Sequence, residues 1–290
     1  MGATFSIVIP AYQAAPTIGA AVRSALEQTY RAHEIIVVDD GSTDGIARVL
    51  EPFGSAVTLI RKDNGGVASA RNAGVRAATG TFMATLDADD RYDPRRLEAL
   101  AQLAEDRPEL DLLTTDARFI VDGRPRGTFA QANPFAVSDQ RTAIVWSCFV
   151  GGWPAVRLER LRSIGGFDET LRMGEDWDCW LRLILTGSQA GLVDEPLYDY
   201  VVHPGGLSAD RVEALRSRVR LLEKARDDAS LTAAERAELL ASIRFHREKA
   251  GRAEVEAAAS RGALVRLALR GGLPLRTRAR AGLALLSLRP

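Results

Sequence analysis

Apolar residues fall in short unbroken runs along the N-terminal third of the chain, each closed by a polar or proline-bearing stretch. FSIVIP (Phe5 to Pro10), EIIVVDD (Glu34 to Asp40), AVTLIRK (Ala56 to Lys62) and TFMATLDADD (Thr81 to Asp90) are short, apolar and partly β-branched, and they predict strands. Between them the apolar spacing becomes helical. PTIGAAVRSALEQ puts Ile18, Val22, Ala25 and Leu26 on one face, with Pro16 in the first turn. STDGIARVLEPF predicts a helix capped near Ser42 or Thr43 and weakened by Gly45. GGVASARNAGVRAATG predicts another, bounded by glycines. Alternating strands and helices, with strands apolar on both faces, predict a mostly parallel sheet flanked by helices, a Rossmann-like α/β arrangement.

Further on, residues 94–106 predict a helix and 111–121 a strand. Residues 122–147 keep no period, and so long an irregular stretch inside a compact domain predicts a functional loop or lid. RLERLRSIGGFDE predicts a short helix ended by glycine, and GEDWDCWLRLILTG an amphipathic one. AGLVDEPLYDYVVH is a last extended segment. Residues 209–260 are charged and helical; in 261–290, Gly271, Gly272 and Pro274 leave room for two short helices at most. The expected division is therefore 1–208 as an α/β domain, 209–260 as a helical extension and 261–290 as a basic Arg/Leu-rich tail.

Charge changes this picture more than bulk composition does. The net charge is zero over 290 residues, yet residues 1–208 hold 20 basic and 28 acidic side chains, and residues 209–290 hold 18 and 10. An acidic body suits a cation, and a basic tail suits an anionic surface, although solvated helices give the same tally. Cys148 and Cys179 have neither metal-like nor redox-like spacing and read as reduced thiols of a cytoplasmic protein. No signal segment is visible, and no apolar run reaches the ~18 residues of a membrane span.

The candidate chemistry sits where such sheets bind ligands, at the carboxyl ends of the strands. Asp39 and Asp40 follow the second strand; Asp87, Asp89 and Asp90 follow the fourth. The loop after the first strand, IPAYQAAP, carries no G-x-G-x-x-G and no Walker-type phosphate loop, which excludes the usual dinucleotide fingerprint. An acidic, oxygen-only cluster suits Mg²⁺ or Mn²⁺.

Taken together and in order, SIVIPAY, EIIVVDDGSTD, NGGVASARNAG, TFMATLDADD, IGGFDE and GEDWDCWLRL resemble the family 2 inverting glycosyltransferases of the GT-A fold, over roughly residues 4–208. The resemblance implies a nucleoside diphosphate sugar donor, with a UDP-sugar favoured, and a divalent metal, Mn²⁺ or Mg²⁺. It implies that Pro10, Ala11 and Tyr12 hold the nucleobase, that Asp40 accepts a base N–H, and that Arg71 approaches the acidic turn. Asp89 matches the acid near the ribose. Asp89 or Asp90 is the direct metal ligand, a choice the sequence leaves open, with Asp87 behind them and His203 near the metal or diphosphate. Asp39 and Asp44 are expected to order the turn. Asp176, at the start of a helix whose dipole favours a carboxylate, matches the general base, with Glu175 as the neighbouring alternative. Trp177, Trp180, Leu181 and Ile184 fall at helical spacing and read mainly as core; Arg182 is a diphosphate contact or a salt bridge. His33 and His246 have no supporting context.

The acceptor implied is a glycan or lipid-linked hydroxyl, in polysaccharide, glycolipid or other glycoconjugate synthesis. The basic tail is expected either at the inner face of a membrane or in helix packing or a homodimer contact. It lacks the aromatics that nucleic-acid binding would use. A catalytically inactive sugar-nucleotide-binding scaffold and a sugar nucleotidyltransferase are the rival readings.

Overall fold

A computed structural model describes residues 2–203, 210–258, 266–267, 269 and 273–287. The chain divides into two compact units, Met1–His203 and Pro204–Pro290.

In the first unit nine strands form one sheet: β1 (Phe5–Ala11), β2 (Glu34–Asp40), β3 (Thr58–Lys62), β4 (Phe82–Thr85), β5 (Arg91–Tyr92), β6 (Leu112–Val121), β7 (Arg124–Thr128), β8 (Ala155–Arg157) and β9 (Ala190–Val202). Their order is β3-β2-β1-β4-β8-β6-β9-β5, with β7 on β6. β1 pairs in parallel with β2 and β4, and β2 with β3, as fully apolar strands require. β8 then reverses direction, lying antiparallel to both β4 and β6. Three residues are too few to show a period, which is why this strand escapes a sequence reading. β6 and β9 run parallel, with a register shift at Thr115–Ala117. Asp116 Oδ1 there accepts the N–H groups of Ala117 at 2.7 Å and Ala130 at 2.8 Å.

The helices of this unit are α1 (Ile18–Leu26), α2 (Ile46–Leu50), α3 (Val67–Ala77), α4 (Arg96–Asp106), α5 (Phe129–Ala132), α6 (Gln140–Trp146), α7 (Leu158–Ser163) and α8 (Glu175–Leu185). Their apolar faces close a core with β1, β2 and β4 around Phe5, Ile7, Ile18, Val22, Val37, Phe82 and Leu97. α3 lies directly against β1: a Cβ on Gly74 would stand 2.3 Å from a Val8 methyl, so only glycine permits that approach.

Two local departures from the sequence expectation have clear causes. α2 starts at Ile46, not near Ser42, because Ser42 Oγ instead accepts the Gln13 N–H of the segment after β1 at 3.0 Å, as Asp44 Oδ2 accepts that of Ala15 at 2.7 Å. β4 ends at Thr85 rather than at Asp90, since Asp87 to Asp90 close a turn with Asp90 N–H donating to the Asp87 carbonyl at 3.1 Å. The aperiodic stretch 122–147 holds β7, α5 and α6, elements too short to read from spacing.

The second unit contains α9 (Arg211–Lys224), α10 (Ala233–Ala257) and α11 (Leu275–Ser287). Thr232 and Glu235 cap α10 reciprocally, at 3.2 and 2.8 Å. Leu215, Ala250 and Ala253 form a small core with Val212, beside a 2.6 Å Arg216–Glu254 ion pair. Gly271 and Gly272 of the tail, and the segment 204–209, lie outside the described residues. Among the described residues no helix is long and apolar enough to cross a membrane.

Candidate active site

The acidic turn after β4 sorts its carboxylates by direction. Asp90 is buried: its Oδ2 accepts the Tyr198 hydroxyl at 2.7 Å and its Oδ1 the Val201 N–H at 2.7 Å, both from β9. Burial pushes this carboxyl well above the usual range, and the Asp87 charge adds to the effect. Asp89, at the crown of the turn, has a 43% exposed side chain and lies 3.5 Å from His203 Nε2. Partial burial, then Asp87, raises its carboxyl as well. Among the described residues His203 Nε2 is itself covered and finds no hydrogen-bond partner. An orphaned imidazole nitrogen beside an exposed carboxylate fits a hard divalent cation that completes its shell with phosphate oxygens and water. Among the described residues no three His, Cys, Asp or Glu side chains converge on one point, so a cation there would need those outside ligands.

Arg71 comes from the middle of α3 and is 4% exposed. Its guanidinium donates to Asp87 Oδ1 at 2.9 Å and to Glu175 Oε1 at 2.6 Å, at the first residue of α8. Phe167 lies under it at 5.6 Å. Against burial, Asp87 and Glu175 hold its pKa above the ordinary arginine value, so it stays charged. Burial pushes Glu175 up to about 7, with Arg71 pulling down and Asp176 pushing up. Asp176, one residue on, is also raised by burial, with Arg71 opposing. Its Oδ1 accepts the Trp177 N–H at 2.7 Å, while Oδ2 faces Gly152, where an added Cβ would stand 3.1 Å away. Asn72, next to Arg71, fixes the IGGFDE segment by accepting the Phe167 N–H at 2.8 Å and donating to its carbonyl at 2.8 Å.

The ends of β1 and β2 lie side by side, Ala11 opposite Asp39. Pro10 and Ala11 are buried, and Tyr12 stands 56% exposed beyond them. Asp39 orders the following turn by accepting the Ser42 N–H at 2.9 Å. Asp40 is only 2% exposed, and its two oxygens accept from Lys62 Nζ at 2.6 Å, Gly65 N–H at 3.0 Å and Gly66 N–H at 2.7 Å. Lys62 was not singled out by the sequence reading.

The fold thus joins Arg71 and Asp87 to the start of α8, and Asp89 to His203, while Pro10, Ala11, Tyr12 and Asp40 sit at the neighbouring strand ends. Trp177, Trp180, Leu181 and Ile184 are all buried as core. Arg182 bonds Asp178 at 2.8 Å and the carbonyls of Ile164 and Gly166, which is the salt-bridge alternative. Sequence reasoning missed Tyr198, Arg96 and Trp153. They hold the turn from below, and no motif announces a residue whose work is to hold another.

Residues 6–163 match the model of glycosyl transferase family 2. The chain belongs to that family. Among its relatives are an uncharacterized glycosyltransferase of Rickettsia typhi, 29% identical over 63% of this chain and 59% of its own, and the succinoglycan biosynthesis protein ExoU of Rhizobium meliloti, 31% identical over 70% and 63%. The chain spans about three-fifths of the length of these two relatives, and 22% of a longer one, the chondroitin synthase of Pasteurella multocida. S. aureus TarS 1–349 in complex with UDP-GlcNAc superposes with a TM-score of 0.70 at 20% identity, over 96% of this chain and 83% of that one. Mannosyltransferase PcManGT from Pyrobaculum calidifontis, in complex with GDP-Man and Mn²⁺, gives 0.64 at 20% identity, over 99% and 88%. The family 2 member described here therefore has the GT-A fold.

Proposed function

We propose that this family 2 member is a metal-dependent inverting glycosyltransferase that moves a sugar from a nucleoside diphosphate sugar to an acceptor hydroxyl. The observation that carries the reading is Arg71: one buried guanidinium ties the acidic turn to the first turn of α8, next to Asp176. Asp176 is the general base, because Glu175 is held against Arg71 while Asp176 Oδ2 faces the Gly152 backbone. It takes the acceptor hydroxyl proton as the oxygen attacks the anomeric carbon. The bond from that carbon to the diphosphate oxygen breaks on the opposite face, which inverts the configuration. Asp89 and His203 would hold the cation, and a bound cation would neutralise charge building on the departing diphosphate. Asp90 braces the turn and is not a ligand in this reading.

A uracil or thymine base, hence a UDP-sugar ahead of others, is supported by the lone pairs of Asp40. Lys62 Nζ, Gly65 N–H and Gly66 N–H donate to its carboxylate, with the Gly65 N–H shared between both oxygens at 3.0 and 3.2 Å. The longer Gly65 contact is the one that a single imide N–H of such a base would replace, whereas guanine offers two adjacent donors. A glycan acceptor is supported by the relative named for succinoglycan biosynthesis. The protein works in the cytoplasm, with the basic tail resting on the inner face of the membrane near a lipid-linked acceptor. Titration calorimetry with UDP, TDP, GDP and CDP, with and without Mn²⁺, tests the core of the proposal. Manganese-dependent binding of UDP or TDP is expected; no binding of any nucleotide would refute the enzyme reading, and preference for GDP would refute the base assignment.

A further inference from the structure

We propose that Tyr198 is the positioning residue of the divalent cation site, acting on Asp89 and His203 through Asp90 and the backbone of the acidic turn. The inference rests on the reading above that Asp89 and His203 hold the cation. The Tyr198 hydroxyl takes part in two hydrogen bonds, and together they span the turn. It accepts the Asp87 N–H at 3.3 Å and donates to Asp90 Oδ2 at 2.7 Å. The turn between those two residues is closed by its own Asp90 N–H to Asp87 carbonyl bond, which leaves Asp89 at the crown. One phenol therefore pins both feet of the turn that presents Asp89. The other Asp90 oxygen receives Val201 N–H at 2.7 Å, and that bond fixes the end of β9 two residues before His203. Asp90 is thus the joint between the turn and the strand, and Tyr198 holds the joint.

The phenol is rigid for identifiable reasons. Tyr198 is 1% exposed, and its ring stacks on Trp153 with centroids 5.0 Å apart and 23° between planes. The fully buried Arg96 guanidinium lies over it at 5.2 Å and over Tyr92 at 4.7 Å. Arg96 is held in turn by Thr115 Oγ1 and the Trp153 carbonyl. A hydroxyl on a ring fixed in this way has one direction in which to donate, and its hydrogen bond transmits that rigidity to Asp90. Groups that orient a ligand in this manner commonly change metal affinity by about 10- to 100-fold when removed.

The rival is that Asp90 itself ligates the cation. Asp90 is 2% exposed, so to reach an outside cation it would have to turn away from Tyr198 or Val201, and the two ideas predict opposite effects of one atom. Tyr198→Phe keeps the ring on Trp153 and under Arg96 and removes only the hydroxyl. Manganese binding is read by the loss of the free Mn²⁺ EPR signal, using the full chain with saturating UDP. Tyr30→Phe, whose lost hydroxyl donates to the Ala3 carbonyl at 2.6 Å, serves as the phenol control. Tyr198→Phe is expected to weaken Mn²⁺ binding about tenfold or more, with unchanged metal-free UDP affinity and a thermal midpoint lowered only as far as the loss of one buried hydroxyl requires. Asp90→Asn should weaken it comparably, and the double variant should be no worse than the more damaging single one, because both act through one bond. Equal or tighter Mn²⁺ binding by Tyr198→Phe would overturn the proposal and favour Asp90 as a ligand. Loss of metal-free UDP binding in the same variant would overturn it too, since the role would then be general folding. Wild-type protein that takes up no Mn²⁺ with UDP or GDP would overturn this inference together with the reading beneath it.

Discussion

At the residue scale the centre of interest is a pair of adjacent acids with different surroundings. Glu175 is neutralised by a 2.6 Å contact with Arg71, and Asp176 is left with one oxygen turned to the loop backbone. Asp176→Asn should lower kcat by about 10²–10⁴ while leaving UDP and Mn²⁺ binding intact, which calorimetry and turnover together would check. Burial raises the Asp176 carboxyl, so on the proposed reading turnover is lost as pH falls through a value above the ordinary carboxylate range. The acidic limb of the kcat profile should accordingly lie above that of a solvated aspartate. Arg71→Met should cost about 3–5 kcal/mol in urea unfolding, because Glu175 is then buried without a partner. The sign of its pH dependence follows. Without Arg71 the folded state binds the Glu175 proton more tightly than the unfolded chain does, so the variant regains stability as pH falls.

At the element scale, what could be read from the sequence was whatever repeats. β1 to β4 with their helices declared themselves through unbroken apolar runs, and Asp87, Asp89 and Asp176 through their places at strand and helix ends. What stayed hidden was whatever is short or whatever works by support. β8 has three residues and reverses the sheet; α5 and α6 sit in a stretch without a period; Tyr198 looks like any strand aromatic. The cap signal at Ser42 misled for a physical reason, since the same hydroxyl could serve either a helix N–H or Gln13, and tertiary contact won. The N-A-G of α3 is legible only afterwards. Gly74→Val should destabilise the protein by about 1–3 kcal/mol or more in urea unfolding, because its side chain would occupy the space of Val8. Arg71 rides on the same helix, so that variant should also weaken nucleotide binding.

On the scale of the whole molecule, charge divides the chain as the two units do. Full-length protein should partition onto anionic liposomes more than onto neutral ones, and a chain ending at residue 258 should lose the difference; equal sedimentation of both would remove the membrane contact. The direction of β8 has a separate consequence. Running against β4, it begins where β4 ends, and Thr85 accordingly bonds the Gly152 carbonyl at 3.1 Å. The segment that comes before β8, rather than after it, is thereby brought to Asp176, whose Oδ2 faces Gly152. On the proposed reading the donor is handled by residues before position 91 together with His203, and the 122–154 segment enters as a separate stretch anchored at β8. On the same reading, sequence change within 122–149 is the route to a new acceptor, while Gly152 and Trp153, which meet Asp176 and Tyr198, have to stay as they are.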